Sequence, residues 1–545
     1  MSLPVPLAVR LKTSRADVHI TSDLRGLSFR ETAPGGYASA RLSLNRPLNF
    51  QPDDVDYYAT VYVYDGHNGR TVWEGLVEDP HRVAGADGQV FDLTAVGPAA
   101  RVNDRTVPYI VVDTDFAAFK RYNVNLVAAN DTVKDDPGGS GKQGLVLQYP
   151  QGITTFVGAE IRMRYNRIWD AGQKLARVDY QWRAGGTDAN FTTHFMTGVN
   201  GALTTQLRTA TLVPSTGFAP KVVVTDWANG HNTLDLHHEN AGPGTGVVPN
   251  DGFWASFLDV SVLAMRYNAD GTEKTTGYNT NTVLASDVVA DLLGRGFLPL
   301  FDGVNASIAT TSFGIERLAY PDGVTPGRVL DDLMKLEAGY FWEARASNPT
   351  TGKNQFNWKA WPSTVRYEAD VKDGFDSPGR AADMFDKVRV RYTDLNGEIR
   401  TVQRTQSVPA LIAAGISREA FIDLGTDAGT LANANQAGDQ FLAQHASPPN
   451  SGTLTVARPV VDLQRGCMVQ PWEVEAGNLI RVRGVRPTID ALNATARDGV
   501  TVFRVVAREY NAATAVATLE LDSYAPSIER QLAEVAKAAV AKPRR

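Results

Sequence analysis

The stretch Thr71-Val72-Trp73-Glu74-Gly75-Leu76-Val77-Glu78 decides the fold, because a similar stretch, Thr501-Val502-Phe503-Arg504-Val505-Val506-Ala507-Arg508, lies near the other end of the chain. Each stretch begins with Thr-Val, an aromatic residue and a charged residue. One β-rich run precedes each stretch and another follows it. Such runs predict strands, so the sequence predicts three-stranded β-meanders at residues 59–93 and 479–521. Turns are expected at Asp87-Gly88 and at Tyr510-Asn511.

The two meanders predict a barrel-like unit that occurs twice in the chain. A chain with two such units presents six similar units when it forms a trimer, and such a ring can join a six-fold partner to a three-fold one. The alternative is that the meanders are unrelated, because alternation of apolar and polar residues is common to half-buried strands.

Size and composition exclude several classes of protein. The chain has 545 residues and a mass of 59.0 kDa, which predicts about three or four domains. The formal net charge is -6, and no basic run indicates a nucleic-acid-binding surface. The single cysteine, Cys467, excludes an intrachain disulfide and a cysteine-rich zinc site. The sequence shows no signal peptide and no apolar run of about 18 residues, so folding in a cytoplasm without a membrane span is expected.

Changes in pattern along the chain predict a mainly β protein with a small α+β part. We expect two barrel-like β-domains, an inserted jelly-roll-like β-sandwich and a helix-containing middle domain. Seven strand-like runs separated by polar turns between residues 144 and 265 indicate the sandwich. The expected boundaries are 1–118 for the first β-domain, 119–280 for the sandwich, 281–385 for the α+β domain, 386–526 for the second β-domain with one helix, and 527–545 for a helical tail.

Three helices are predicted inside the chain. Thr325 can cap a helix that begins at Pro326, because proline at the first helical position loses only an N–H group that has no partner. Residues 288–293 carry an apolar stripe typical of an amphipathic helix. A third helix is expected from about residue 430 to residue 446, where a Ser-Pro-Pro sequence follows.

One dense group of polar residues is a candidate ion site. Asp235, His237 and Glu239 alternate along a predicted strand and would share one face. Two carboxylates and an imidazole can hold a metal ion. The alternative is a solvated strand face, and because no second set of ligands has a diagnostic spacing, no metal site is assigned. The other members of the group are Asp226, His231 and His238.

Aromatic residues of the predicted sandwich could stack on a sugar, as in other jelly-roll proteins. Packing inside the sandwich explains them equally well. They are Trp169, Tyr180, Trp182, Trp227 and Trp254.

The sequence contains no complete catalytic or cofactor-binding motif. The glycine-rich residues 138–142 differ from a phosphate-binding loop, because Asp136 replaces the first glycine and Gln143 follows Lys142. No nucleophile motif is present, and no helix start lies beside Cys467 to activate its thiol. We therefore expect no catalytic residue, no cofactor and no enzymatic activity.

Five short motifs lie outside the predicted sandwich, together with the Thr325-Pro326 helix start. They are Gly26-Leu27-Ser28-Phe29 with Leu42-Ser43-Leu44, Val63-Tyr64-Asp65-Gly66, Val72-Trp73-Glu74-Gly75, Gly339-Tyr340-Phe341-Trp342, and Pro471-Trp472-Glu473-Val474-Glu475-Ala476-Gly477-Asn478-Leu479-Ile480-Arg481-Val482. Together they resemble the tail hub (baseplate hub) proteins of long-tailed bacteriophages, above all the minor tail proteins of siphoviruses that infect actinobacteria. The resemblance covers residues 1–117 and 281–525.

The resemblance implies a structural protein at the tail tip of a virion, made in the cytoplasm of the bacterial host. It implies a homotrimer in which the first and last β-domains alternate around a pseudo-six-fold ring of the tail-tube or hub type. The implied partners are the distal tail protein ring, a central fibre or spike protein and the tape measure protein. DNA would pass through the ring without specific binding.

A passive DNA conduit constrains the inner wall of such a ring. A wall rich in Lys and Arg would bind phosphates and slow the passage of DNA, so acidic or neutral polar side chains are expected there. The alternative is that the acidic residues are ordinary solvated ones. The candidates are Glu74, Glu78, Asp92, Glu509 and Glu520.

Two other functions fit the sequence. The inserted sandwich could bind a host surface glycan and so recognise the host. Less in keeping with the motifs, the chain could be a cell-wall hydrolase of the tail tip.

Overall fold

The computed structural model shows a mainly β chain, as the sequence predicts. Strands are numbered β1 to β33 and helices α1 to α4 in chain order. The structure describes residues 7–45, 57–85, 88–115, 118–124, 130–135, 143–149, 160–167, 177–185, 191–199, 202–211, 222–224, 233–240, 253–263, 283–303, 306–337, 339–371, 374–376, 384–394, 398–425, 429–445, 452–484 and 502–522.

Several of the N-terminal strands bury alternate residues. In the first of them, Leu7, Val9 and Leu11 are buried while the residues between them are more exposed, which is the pattern of a strand with one face on a core. The strands are β1 (Leu7–Lys12), β2 (Asp17–His19), β3 (Leu24–Thr32), β4 (Gly35–Leu44), β5 (Thr60–Asp65), β6 (Thr71–Gly85), β7 (Gly88–Val96) and β8 (Val107–Asp113).

Ten strands follow in the region expected to form a sandwich. All seven strands predicted there are present, and β9, β10 and β15 are additional. They are β9 (Phe119–Val124), β10 (Asn130–Asp135), β11 (Gln143–Tyr149), β12 (Glu160–Tyr165), β13 (Arg177–Gly185), β14 (Phe191–Val199), β15 (Ala202–Thr211), β16 (Val222–Val224), β17 (Thr233–Asn240) and β18 (Phe253–Leu263).

The middle of the chain mixes helices and strands. Its elements are α1 (Ala285–Gly294), β19 (Ser307–Ile308), β20 (Leu318–Val324), α2 (Pro326–Leu336), β21 (Tyr340–Ser347), β22 (Asn354–Ala360), β23 (Val365–Asp370) and β24 (Phe375–Asp376).

The C-terminal part contains a small α/β unit and then a further series of strands. The unit comprises β25 (Lys387–Thr393), β26 (Ile399–Thr405), α3 (Pro409–Ala413), β27 (Glu419–Asp423) and α4 (Leu431–Gln444). The remaining strands are β28 (Gly452–Val456), β29 (Val460–Asp462), β30 (Cys467–Val469), β31 (Leu479–Arg483), β32 (Val502–Asn511) and β33 (Val516–Asp522).

Both predicted meanders are present as antiparallel strands. In the first, β5 pairs with β6 and β6 pairs with β7; in the second, β31 pairs with β32 and β32 pairs with β33. The turn predicted at Tyr510-Asn511 is wrong, because both residues belong to β32 and residues 512–515 form the turn. Tyr510 is fully buried, and its ring packs against Phe29. Asp87 lies outside the described residues.

One strand joins the two ends of the chain. The first half of β32 pairs with β31, and its second half pairs with β3, through Ala507↔Thr32 to Asn511↔Ser28. A single hydrophobic core contains residues from β1 to β7 and from β23 and β28 to β33. The two meanders therefore share one sheet and one core.

The described strands between residues 119 and 263 form two groups. One order is β10-β11-β18-β13-β16 and the other is β15-β14-β17-β12-β9. β8 leads into this region and pairs with β18 through Asp113↔Val262 and Val112↔Leu263, so the strand that enters the region and the strand that ends its described part are neighbours. β8 pairs on its other side with β20, and its residues pack with α1 and α2 in a second core.

The three predicted helices are confirmed within the described residues. The Thr325 hydroxyl oxygen accepts a hydrogen bond from the backbone N–H of Arg328, so Thr325 caps α2 as predicted. Thr430 caps α4 in the same way. The apolar stripe of α1 is buried. The helical tail predicted from residue 527 lies outside the described residues.

Candidate functional site

Charged side chains from three parts of the chain meet inside the protein. We call this group the ionic junction. Its three arginines face three carboxylates where strands of the shared core meet β21, whose apolar residues belong to the core around α1 and α2. The ionic junction consists of Glu31 of β3, Glu343 and Arg345 of β21, Arg366 of β23, Glu475 before β31, and Arg508 of β32.

Arg345 lies at the centre of the ionic junction and contacts three carboxylates. Its guanidinium nitrogens are 2.6 Å from Glu31 Oε1, 2.7 Å from Glu343 Oε2 and 3.9 Å from Glu475 Oε2. Each carboxylate comes from a different region of the sequence. Arg345 thus connects the N-terminal sheet, the middle of the chain and the C-terminal strands. Charge-assisted contacts of this kind are shorter and stronger than neutral hydrogen bonds.

Arg508 extends the ionic junction to the two meanders. Its side chain is 2% exposed, and its Nη2 lies 2.9 Å from Glu31 Oε2. The guanidinium also donates to the backbone carbonyl of Trp472, and at 3.5 Å to that of Val72 in the first meander. One buried cation therefore contacts β3, the first meander and the segment before β31.

Glu475 is held by several arginines. Arg366 Nη1 lies 2.8 Å from Glu475 Oε2, and Arg70 of the first meander contacts Glu475 Oε1. Burial raises the pKa of Glu475, but the arginines around it outweigh burial and hold that pKa well below its usual range. Burial raises the pKa of Glu343 as well, but the charges of Arg345 and Lys359 outweigh it and lower that pKa to about 2. Both carboxylates are ionised at neutral pH.

Local sequence explains how the ionic junction forms. Glu343 and Arg345 are two residues apart on β21 and so lie on the same face of that strand. β21 can approach β4 because Gly36 has no side chain; a β-carbon there would overlap the backbone of Ala344. Removing one partner from a buried ion pair is strongly destabilising, whereas intact pairs fix one arrangement. The ionic junction can therefore hold three regions in a fixed relative position.

One candidate for the inner wall of a channel is wrong. Glu74 is buried, and its carboxylate accepts hydrogen bonds from the backbone N–H and hydroxyl of Ser347, at 2.8 and 3.0 Å, and from Asn354 Nδ2 at 3.2 Å. Glu74 thus attaches the first meander to β21 and β22. Burial raises its pKa.

The other four candidates for the channel wall have partners within the chain. Glu78 pairs with Arg101 at 2.9 Å, and Asp92 accepts from the Ser43 hydroxyl at 2.5 Å. Arg30 lies 2.8 Å from Glu520 and 3.7 Å from Glu509. That these four face a channel stays a prediction.

Of the residues in the candidate ion site, the structure describes the side chain of Asp235 alone. Asp235 is fully buried, and both carboxylate oxygens accept hydrogen bonds from Arg164 of β12, at 2.7 and 2.9 Å. The side chains of His237 and Glu239 lie outside the described part, as do Asp226, His231 and His238. Across the described residues, no group of three His, Cys, Asp or Glu side chains is arranged to hold a metal ion.

The candidate sugar-stacking residues are described at Tyr180. Tyr180 is buried, and its ring lies 5.8 Å from that of Phe257, so it packs against a side chain of the neighbouring strand β18. The glycine-rich residues 138–142 and the four tryptophans lie outside the described residues or side chains. In the described part of the chain, no helix has the length and apolar character needed to cross a membrane.

Sequence reasoning missed the ionic junction. Its signal was present: charged residues interrupt otherwise apolar strands, as Glu343 and Arg345 do after Tyr-Phe-Trp in β21. A charge in such a position is buried when the strand is buried, and a buried charge requires a partner. The partners lie far away in sequence, so the pattern alone does not identify them.

Comparisons with known proteins give likenesses in structure alone. No family model matches the sequence, and no curated protein is significantly similar to it. A tail protein from Neisseria meningitidis MC58 aligns over 96% of this chain and 98% of its own, with 9% identity and a TM-score of 0.44. The 43 kDa tail protein of prophage MuSo2 from Shewanella oneidensis aligns over 94% and 97%, with 11% identity and a TM-score of 0.41.

A xylan-binding module, CBM86, from Roseburia intestinalis aligns over 29% of this chain and 94% of its own, with 12% identity and a TM-score of 0.17. Since these TM-scores are all below 0.5, a functional conclusion for this chain has to come from its own residues and contacts.

Proposed function

We propose that this chain is a structural protein of a bacteriophage tail, and that it forms a homotrimeric hub ring at the tail tip. In this ring the two meander-containing units of each subunit alternate, which gives pseudo-six-fold symmetry. The ring joins the distal tail protein on one side to a central fibre or spike on the other. The tape measure protein contacts it inside the tail, and DNA passes through without specific binding.

The pairing of β3 with β32 carries this proposal. A subunit that supplies two of six positions in a ring must hold its two units in one fixed relation, because closed rings need reproducible angles between neighbours. The continuous sheet through β32 supplies that relation. The ionic junction supports it, since Arg508 and Arg345 connect both units to the middle of the chain. The five motifs that resemble hub proteins lie in or beside β3, β4, β5, β6, β21 and β31, which belong to the same sheet as β32.

The inserted sandwich has a separate place in the proposal. We place it outside the ring, as an insertion at about residues 119–280 that enters beside β8 and leaves beside β18. A role in binding a host surface glycan is compatible with this position. Binding of the purified chain to host wall polysaccharide, measured by sedimentation, would assign that role to it.

The mass of the purified protein tests the trimer. Light scattering and native mass spectrometry should give three times the 59.0 kDa of one chain. Reconstruction of the tail tip should then show three copies in one ring, with the two meander-containing units alternating around it. Six copies in the ring, or single copies bound outside the tube, would contradict the proposal.

Passage of DNA without binding is tested by titration of the assembled ring with duplex DNA at physiological salt. Each phosphate that a protein neutralises adds salt-sensitive affinity, so a conduit with a neutral or acidic wall should show no tight binding. Tight binding, or a net-basic channel in the reconstructed ring, would refute a passive conduit while leaving the trimer itself intact.

A further inference from the structure

Residues 384–445 form a compact unit with hydrophobic clusters of its own, which we call the α/β module. α4 packs against β25 and β26, and the larger cluster is formed by Val388, Val390 and residues of α4 and β27. The smaller cluster consists of Met384, Val408 and Leu411. Among the described residues, both clusters are built from positions 384–442 alone. The module therefore does not share an apolar core with the rest of the protein, which we call the body.

The two ends of the α/β module lie side by side. The backbone N–H of Phe385 donates to the carbonyl of His445 at 3.2 Å, and the two rings are 5.9 Å apart. Phe441 of α4 completes this group. A unit that enters and leaves at one point is able to rotate about that point without unfolding either side.

Hydrogen bonds between described residues connect the α/β module to the body. The Glu316 carboxylate accepts hydrogen bonds from the backbone N–H of Gly429 at 3.2 Å and the hydroxyl of Thr430 at 2.7 Å. Asn433 Nδ2 donates to the carbonyl of Gly314 at 3.0 Å. Glu316 thus lies at the N-terminus of α4, where the helix dipole favours a negative charge.

Arg317, the next residue, contacts both the α/β module and the base of the sandwich. Its Nη2 donates to the carbonyl of Asp394 in the module at 3.2 Å, and its Nε donates to the Thr114 hydroxyl at 2.5 Å. Thr114 follows β8 directly, and β8 pairs with β18. One side chain therefore links the module to the strand from which the sandwich emerges.

We propose that Glu316 is the contact that holds the α/β module in its docked position on the body, and that Arg317 couples the position of the module to the base of the sandwich. The module rotates as a unit about the Phe385–His445 pair when the Glu316 contact breaks. This motion is permitted because, among the described residues, no shared hydrophobic cluster joins the module to the body.

Distances between spin labels test the first part of the proposal. Cys467 is exposed and is replaced by serine; labels are then attached at the exposed positions Thr106 of the body and Thr401 of β26 after substitution by cysteine. The parent should give one narrow distance. In Glu316→Ala a second distance should appear, because the lost charge-assisted hydrogen bonds raise the ratio of displaced to docked module about 10- to 100-fold.

Glu398→Ala is the matched control. Glu398 is an exposed carboxylate of the same module that pairs with Arg400, so its loss should leave the single distance unchanged. Asn433→Ala removes the hydrogen bond to Gly314 and should shift the distances in the same direction as Glu316→Ala, but less. If Glu316→Ala is insoluble, Asn433→Ala tests the proposal instead. An unchanged distance in a folded variant would overturn the proposal. Loss of amide protection throughout β25 in Glu316→Ala would overturn it too.

Hydrogen exchange tests the coupling through Arg317. In Arg317→Met, the amides of residues 112–115 and 262–263 should exchange several-fold faster than in the parent, and Glu316→Ala should produce the same effect at those residues. If Glu316→Ala displaces the module and leaves exchange at residues 112–115 unchanged, the coupling is refuted although the docking contact stands.

Discussion

Phe29 and Tyr510 lie directly opposite each other on β3 and β32, and their ring centroids are 5.4 Å apart. Trp472 packs edge-on against Tyr510 at the same centroid distance. All three side chains are buried. The aromatic core of this protein is therefore completed by residues from opposite ends of the chain.

Truncation of Tyr510 should loosen both ends together. Tyr510→Ala removes a fully buried ring from the shared core and should lower the free energy of unfolding by about 3 kcal/mol or more. Phe421→Ala is the control, because Phe421 is 59% exposed, and it should cost about 0.5 kcal/mol at most. Urea denaturation measures both. An equal effect of the two substitutions would contradict the shared core.

Loss of the Arg508 charge should be much more costly than loss of a surface arginine. Arg508→Met leaves Glu31 with one fewer cation and frees the carbonyl of Trp472, so we expect a loss of about 3–5 kcal/mol. Arg389 pairs with Glu419 at 3.0 Å on the surface, and Arg389→Met should change stability by less than about 1 kcal/mol. Chemical denaturation of both variants in one buffer provides the comparison.

Gly36 should not tolerate a side chain. It has φ of +87°, and an added β-carbon would overlap the backbone of Ala344 in β21. Gly36→Ala should therefore destabilise the protein by about 3 kcal/mol or more. Gly69 has φ of +69° with open space around it, so Gly69→Ala should cost only about 1 kcal/mol, the backbone strain alone. Thermal unfolding separates the two contributions, and similar melting temperatures would show that β21 can move away.

Stability should fall in acid because of the ionic junction. The pKa of Glu343 is about 2 in the folded chain, below its ordinary 4.5, so its contribution is fully present above about pH 4.5 and is lost as the pH falls towards 2. The expected loss is roughly 3 kcal/mol. Urea midpoints recorded between these pH values should fall less steeply in Glu343→Gln. The same slope in both proteins would show that other groups control the acid response.

Deletion of the sandwich should leave a folded remainder. Among the described residues, neither of the two large hydrophobic cores contains a residue from 120–278. Replacing residues 120–278 by a short Gly/Ser linker should therefore preserve the melting temperature of the remainder and its assembly into trimers. Circular dichroism and light scattering are the measurements. A remainder that is folded but monomeric would place the sandwich inside the subunit interface.

Sequence patterns predicted which segments form helices and strands better than they predicted which strands pair with each other. Alternation identified the strands of both meanders, and the Thr-Pro signal identified the start of α2, because these depend on local geometry. β10 and β15 were not predicted as strands, because polar residues dominate Asn130–Asp135 and Ala202–Thr211. The pairing of β3 with β32 could not be predicted, since alternation determines which face of a strand is buried and leaves its neighbour open.

The partners within the ionic junction could not be predicted, for a related reason. The charge of Arg508 is visible in the sequence, but its partner Glu31 lies at the other end of the chain. Glu74 was a candidate for a channel wall because a passive DNA conduit needs acidic or neutral polar side chains on its inner wall. In the structure Ser347 and Asn354 replace water around it, and only the approach of β21 to the first meander creates that environment.

β32 pairs along one edge with both β31 and β3, and this arrangement also affects how the protein is synthesised. β3 leaves the ribosome long before its partner β32, which is the second-to-last strand among the described residues. At about 5–20 residues per second, the roughly 480 residues between them take on the order of a minute to synthesise. Throughout that time the N-terminal strands have an open edge and an unfinished core. A chain that ends before β32 lacks that partner strand, so we expect it to keep an unpaired edge on β3 and to be prone to aggregation.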